Sequence, residues 1–153
     1  MIIHNVEQGT GEWYQLRAGL ATASEFSKLV TPTGKPSKSV TPYANLLAVE
    51  TLLNRPAEQF NGNWATERGN ELEPQARGYY AFDSGLEVKE VGFVTNDEKT
   101  AGCSPDSLVG DEGLLEIKCP LEQKFIDCFS SIYDGECPAD YKIQVQAQMF
   151  SRS

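Results

Sequence analysis

The sequence predicts an α/β fold in which a mixed β-sheet is flanked by helices. Three observations carry that expectation. Helical and extended patterns alternate along the chain in the order helix, helix, strand, hairpin, helix. The turn formers Gly110-Asp111-Glu112-Gly113 separate two short apolar runs, the pattern of a hairpin. The 153 residues, 40% hydrophobic and 23% charged, are enough for a real core and ordinary for a globular protein. One domain over residues 1–153 is expected, since neither an internal repeat nor a shift in composition divides the chain.

The same composition narrows the function classes. No apolar run approaches the roughly 20 residues that span a bilayer. The start, M-I-I-H-N-V-E-Q, lacks the basic and apolar regions of a signal peptide, so a cytoplasmic location and no membrane partner are expected. The four cysteines, Cys103, Cys119, Cys128 and Cys137, include no C-x-x-C pair. Zinc and iron–sulfur sites are therefore not suggested, and reduced thiols are expected. A net charge of −9 argues against a broad basic face for nucleic acid. It leaves room for a carboxylate-rich site that a metal ion neutralises.

In chain order, residues 1–12 lead in, with Gly9 and Gly11 marking a loop. A helical pattern begins at Trp13 and continues through Leu16, Ala18 and Leu20. A second helix, Ser24 to Val30, can be capped by Thr22 or Ser24 and turns Phe26, Leu29 and Val30 inward. Residues 31–42 form a polar Pro/Gly/Ser loop carrying Lys35 and Lys38. Tyr43 to Leu53 is a helix ended by Asn54 and Pro56, followed by a loop over residues 57–63. Trp64 to Phe82 is the longest helix. Pro74 lies inside it, which predicts either a start near Asn70 or a kink. Gly85 to Thr95 alternates as a half-buried strand, and Asn96 to Lys99 is a turn. Ala101 to Leu108 and Leu114 to Cys119 are the strands of the hairpin. Phe125 to Ile132 is a short helix or irregular segment, Gly135 to Pro138 a loop, and Asp140 to Arg152 a final helix.

The hairpin carries the chemistry. Asp106 sits on its first strand. Glu116 and Lys118 are two apart on the second, so both side chains leave one face while Ile117 points away towards a core. The pairing can set Asp106 opposite, or nearly opposite, Glu116. Two carboxylates that close resist ionising together, and a divalent cation removes the conflict. Carboxylate oxygens with water and substrate phosphate are the ligands Mg²⁺ prefers. Phosphodiester hydrolysis uses such a site, with the lysine orienting or deprotonating water or neutralising transition-state charge. An E-x-K triplet alone is common. S-P-D, nine residues that end in an apolar pair, then E-I-K-C-P is far more specific.

S-P-D…E-I-K resembles the PD-(D/E)xK nuclease motif. The longer segments G-C-S-P-D-S-L and G-L-L-E-I-K-C-P resemble one branch of it, the phage lambda exonuclease and YqaJ-like viral recombinase family. Two more blocks agree in the same order. W-Y-Q-L-R-A-G-L-A-T-A-S-E is similar to the family's W-x-x-x-R-x-G-x-x-T-A-S, and Gly69, Glu73, Ala76 and Tyr80 fit its G-x-x-x-E-x-x-A-x-x-x-[YF]. The resemblance implies a restriction-endonuclease-like core and a Mg²⁺-dependent deoxyribonuclease, with one or two ions for which Mn²⁺ can substitute. It implies metal ligation by Asp106, Glu116, the Ile117 carbonyl and Glu73, with Glu71 as second choice for the helical carboxylate, and a catalytic role for Lys118. It implies a 5′-phosphate pocket containing Arg17 and Ser24, and supporting roles for Tyr141 and Gln144 of Y-x-x-Q. Taken without it, Ser24 is a plain N-cap, Arg17 a solvated helix charge and the glutamines a solvated face.

By the same resemblance the activity is 5′-to-3′ digestion of double-stranded DNA ends in a bacterial or phage-infected cell, leaving a 3′ strand for a single-strand annealing protein. Relatives continue past the last helix, so a C-terminally short form of the core is expected, and the homotrimer that some relatives form is left open. The alternatives are an endonuclease of the same fold and a catalytically inert module that binds DNA ends.

Overall fold

Phe93 and Val94 are completely buried, and the first of two compact units is built around them. The structure, a computed structural model, describes residues 1–57 and 64–152. The first unit comprises residues 1–59, 91–105 and 139–153, and the second residues 60–90 and 106–138. The loop expected at 57–63 lies almost wholly outside the described residues.

In the first unit, β1 (Ile2–His4), β4 (Phe93–Thr95), β5 (Ala101–Cys103) and β2 (Ala21–Thr22) form a four-stranded sheet in the order β1-β4-β5-β2. Only the β2–β5 pair is parallel, so this sheet is mixed as expected. Its helices are α1 (Gly11–Arg17), a 3₁₀ helix (Ala23–Lys28), α2 (Val40–Leu53) and α5 (Ala139–Arg152). α5 packs on the 3₁₀ helix and on β4 and β5. It buries Ala147, and with it Gln148 and Ser151, two polar residues in the core. The Ser151 hydroxyl meets its need by donating to the Ala147 carbonyl one turn back, at 2.9 Å.

Two glycines allow the backbones of this unit to approach. A Cβ on Gly102 would stand 2.4 Å from Phe93 Cζ, so only glycine lets that ring lie across β5. A Cβ on Gly92 would stand 1.9 Å from the Val6 carbonyl oxygen and close to other Val6 backbone atoms, which cannot swing aside.

In the second unit, β3 (Val88–Lys89), β6 (Ser107–Val109) and β7 (Gly113–Leu115) form an antiparallel sheet in the order β3-β6-β7. α3 (Trp64–Ser84) and α4 (Glu122–Tyr133) complete the unit.

The fold class is as expected, but several boundaries differ. The lead-in holds a strand, β1, paired with β4. α1 starts two residues early because the Thr10 hydroxyl caps it by accepting the Trp13 amide. The segment Ser24–Val30 is a short 3₁₀ helix, and neither Thr22 nor Ser24 caps it. Thr22 occupies the cap position without a side-chain bond, and its N–H donates to the Tyr43 hydroxyl at 3.4 Å. α2 begins at Val40 and ends on Asn54 in the left-handed conformation, a usual helix stop. α3 begins at Trp64, ten residues upstream of Pro74, and continues past it to Ser84, so the start near Asn70 is not found.

The strand expected over Gly85–Thr95 is two strands in different sheets, as is that over Ala101–Leu108. Pro105, fully buried at the second break, has no N–H to continue a ladder. The second hairpin strand stops at Leu115 rather than Cys119. α4 is a full helix of 12 residues.

The Gly92 contact yields a stability test. Gly92→Ala should destabilise the protein by about 3 kcal/mol or more, because backbone must move to admit the methyl. Gly11→Ala, where nothing lies within 4 Å of a new Cβ, should change stability by less than about 1 kcal/mol. Thermal unfolding of both variants checks this.

Candidate active site

The hairpin β6–β7 sets the site. Its register pairs Ser107 with Leu115, Leu108 with Leu114 and Val109 with Gly113. Asp106 lies one residue before β6 and Glu116 one residue after β7, so the two are neighbours at the end of the ladder, and the Glu116 charge acts on Asp106. Main-chain pairing ends there: the Asp106 N–H donates to the Leu115 carbonyl at 3.1 Å. Beyond it the Asp106 carboxylate substitutes for backbone, and its Oδ2 accepts the Ile117 N–H. Lys118 Nζ donates to Glu116 Oε1 at 2.5 Å, so these two side chains do leave the same side. Ile117 is half-buried between them.

Glu73 lies on α3 and is half-buried, whereas Glu67 and Glu71 are exposed. Its charge acts on Asp106, which favours Glu73 over Glu71 as the helical carboxylate. Glu73 is bound by Arg77, one turn along the helix, which also bonds Glu90.

Asp106 shows what this gathering does. Burial pushes its carboxyl up to about 7, and the neighbouring charges of Glu116 and Glu73 push the same way. The Ile117 N–H and the Lys118 ammonium pull it down, but burial wins. A carboxyl held this far above its ordinary range, facing a second carboxylate, is a donor set that a hard divalent cation satisfies. Among the described residues, no three carboxylate, imidazole or thiolate groups form an ion site by themselves. Asp106 and Glu116 with a backbone carbonyl and water still suit Mg²⁺, which keeps several waters.

The other expected residues all lie in the first unit. Arg17 ends α1. Its guanidinium sits 4.0 Å above the Trp13 ring and 5.9 Å from that of Phe93. It is half-buried rather than a solvated helix charge, and burial lowers its pKa against the opposing influence of Tyr43, Glu25, Tyr14 and Glu50. Trp13 itself is anchored, its indole N–H donating to Ser104 Oγ at 2.8 Å and to the Gly92 carbonyl at 3.2 Å. Ser24 is exposed within the 3₁₀ helix, so the argument from a capped helix N-terminus does not hold for it. Tyr141 and Gln144 are half-buried on α5. Gln148, expected on a solvated face, is buried.

Two arginines escaped the sequence reading. Arg77 had a visible signal, lying four residues after Glu73. Arg68 donates to the carbonyls of Cys119 and Pro120, at 2.9 and 3.4 Å. Its partners are more than fifty residues away, and no local pattern announces them. The four cysteines are free. No helix among the described residues is long and apolar enough to cross a membrane.

Asp106 just before the first strand of the hairpin and Glu-x-Lys just past the second, on an α/β frame with a helical glutamate, form the arrangement that the resemblance led one to expect of a nuclease. The chain belongs to the YqaJ-like viral recombinase domain family, whose model matches residues 12–151. Nucleases of this kind are generally dependent on a divalent metal.

Two crystal structures of an alkaline exonuclease, LHK-Exo from Laribacter hongkongensis, are similar at 36% identity. One contains dAMP and has a TM-score of 0.74, with 94% of this chain matched to 69% of that one. The other has a TM-score of 0.75, with 93% matched to 68%. A phage-related exonuclease from Haemophilus somnus 129PT shares the fold, with a TM-score of 0.60 and 23% identity over 86% of this chain and 62% of its own. No curated protein matches in sequence.

The raised pKa of Asp106 makes a prediction for metal-free protein. An unfolded Asp ionises near 3.8, whereas Asp106 in the fold holds its proton until about 7. The unfolded state therefore gains ionisation first, and this group's contribution to stability falls as pH rises from about 4 to about 7. Asp106→Asn keeps an acceptor for Ile117 and cannot ionise. In EDTA, the stability of the variant relative to wild type should climb across that interval and level off above it, as measured by calorimetric unfolding against pH.

Proposed function

We propose that the chain is a Mg²⁺-dependent exonuclease that digests duplex DNA 5′-to-3′ and leaves a 3′ single strand for an annealing protein. The observation that carries this reading is the Asp106 carboxyl, pushed up to about 7 beside Glu116 and Glu73 at the open end of the hairpin. The family match across both units supports treating them as one nuclease domain.

Asp106, Glu116 and the Ile117 carbonyl would hold one or two Mg²⁺ ions, with Glu73 assisting. The bound metal supplies Lewis-acid activation of the scissile phosphate and of water. Lys118, tethered by Glu116, orients the attacking water and offsets negative charge developing on the phosphoryl oxygens. Water oxygen bonds to phosphorus, the bond from phosphorus to the 3′ oxygen breaks, and a proton passes to that leaving oxygen. The product is a 5′-mononucleotide with a free 3′ hydroxyl, and the shortened strand keeps a 5′-phosphate. dAMP, bound in the similar exonuclease, is a mononucleotide of this kind.

Arg17 receives the 5′-phosphate. Its guanidinium lies over the Trp13 ring, and a guanidinium fork suits bidentate contact with a phosphate. Ser24 contributes a hydroxyl to the same phosphate. Tyr141 and Gln144 position phosphate or water.

Linear duplex DNA carrying one 5′-phosphorylated end should be lost from that end with Mg²⁺ and persist in EDTA, while a closed circle survives both. Cutting of the circle would make the chain an endonuclease instead. Lys118→Ala should lower cleavage by about 10²–10⁴-fold while Mg²⁺ binding, followed by calorimetry, persists; wild-type rates would remove the lysine from the chemistry. Arg17→Ala should erode the preference for phosphorylated over hydroxyl 5′ ends, measured as the ratio of their kcat/KM values, by at least about tenfold.

A further inference from the structure

The Glu116-Ile117-Lys118 segment is not held by the sheet. β7 ends at Leu115, α4 begins at Glu122, and the residues between have no ladder partner among the described residues. Two polar clamps replace the ladder. At the near end the Asp106 carboxylate accepts the Ile117 N–H. At the far end Arg68 Nη1 donates to the carbonyls of Cys119 at 2.9 Å and Pro120 at 3.4 Å. Among the described residues Arg68 makes no ion pair with a carboxylate, and its hydrogen bonds there are these two. Pro120 has no N–H and restricts Cys119 to extended conformations, which points carbonyls rather than donors at the guanidinium.

Arg68 stands on α3, five residues before Glu73. One helix thus carries the proposed metal-associated carboxylate and ties down the chain immediately after the proposed catalytic lysine. The Lys118 side chain is long, about a third exposed, and bonded to Glu116 of the same segment. With its exit peptide loose, its ammonium would sample many positions, and displacement by about 1 Å can lower a rate about 10²-fold.

We propose that Arg68 is a positioning residue that fixes the backbone of the Glu-x-Lys segment and through it the place of the Lys118 ammonium. This rests on the nuclease reading above. The guanidinium acts through the peptide and touches neither substrate nor metal.

The test uses the full chain with Arg68→Gln and Arg68→Lys. Steady-state kinetics on 5′-phosphorylated linear duplex with Mg²⁺ are combined with amide hydrogen exchange at Ile117 in EDTA. Arg68→Gln should lower kcat by about 10- to 100-fold, leave KM within about twofold, and speed Ile117 exchange by at least about tenfold, with core amides such as Val94 unaffected. Arg68→Lys, which keeps a charged donor, should recover part of both losses. A raised KM at unchanged kcat would make Arg68 a DNA contact and overturn the proposal. Unchanged Ile117 exchange would overturn it too, as would a global loss of protection in both variants, which marks a folding residue. An inactive wild type would sink the nuclease reading alone, because the exchange measurement still decides what Arg68 holds.

Discussion

The hydrogen bond from the Ile117 amide to the Asp106 carboxylate is the interaction on which the site depends. It lies where sheet pairing stops: the Asp106 N–H still donates to the Leu115 carbonyl, and the Asp106 carboxylate then accepts the Ile117 N–H. A ladder continued in the ordinary way would have used main chain on both strands. Using the carboxylate fixes the register of Glu116 and Lys118 against Asp106. The same bond favours the ionised form of Asp106, yet burial prevails and the carboxyl sits near 7. The fold therefore maintains, at its functional end, a group that would ionise more readily in the unfolded chain. Such local tension is common where a site is built to receive charge from outside.

Arg17 solves a related problem by different means. A guanidinium paired with a carboxylate would have its fork filled before any ligand arrived. Here the guanidinium carbon lies 4.0 Å from the Trp13 ring centroid, so the partner of this cation is an aromatic face. The indole is in turn anchored to Ser104 and Gly92, so the placement of this cation is set by the strand region of its own unit. Glu25 and Glu50 act on it through space without being bonded to it.

The parts legible in the sequence were those written in local spacing. The Asp106–Glu116 juxtaposition followed from turn length and strand alternation, and the shared side of Glu116 and Lys118 from their separation by two. Glu73 was favoured over Glu71 by motif register, and the charge it exerts on Asp106 agrees. What stayed hidden was written in long-range geometry. Strands of two or three residues leave too little alternation to read, so β1 and β2 went unseen. The apparent long strands before and after the Asn96 turn each divide between two sheets; Pro105 marks the second break in the sequence, but no local pattern tells that the chain passes there to another sheet. Ser24 looked like a cap because capping residues and 3₁₀ turns share composition. Gln148 looked solvated because only packing reveals a buried amide.

The way the units are threaded governs how the chain can be made. Neither is continuous: the first draws on three segments and the second on two. In chain order the second unit is complete at Pro138, so the hairpin and its clamps need nothing that follows. The first unit must wait for α5, whose Ala147, Gln148 and Ser151 close the core over β4 and β5. Until then the Phe93–Cys103 sheet has an uncovered apolar face. The part that emerges first is therefore the last to become native, and its contacts of large sequence separation make that step the slow one.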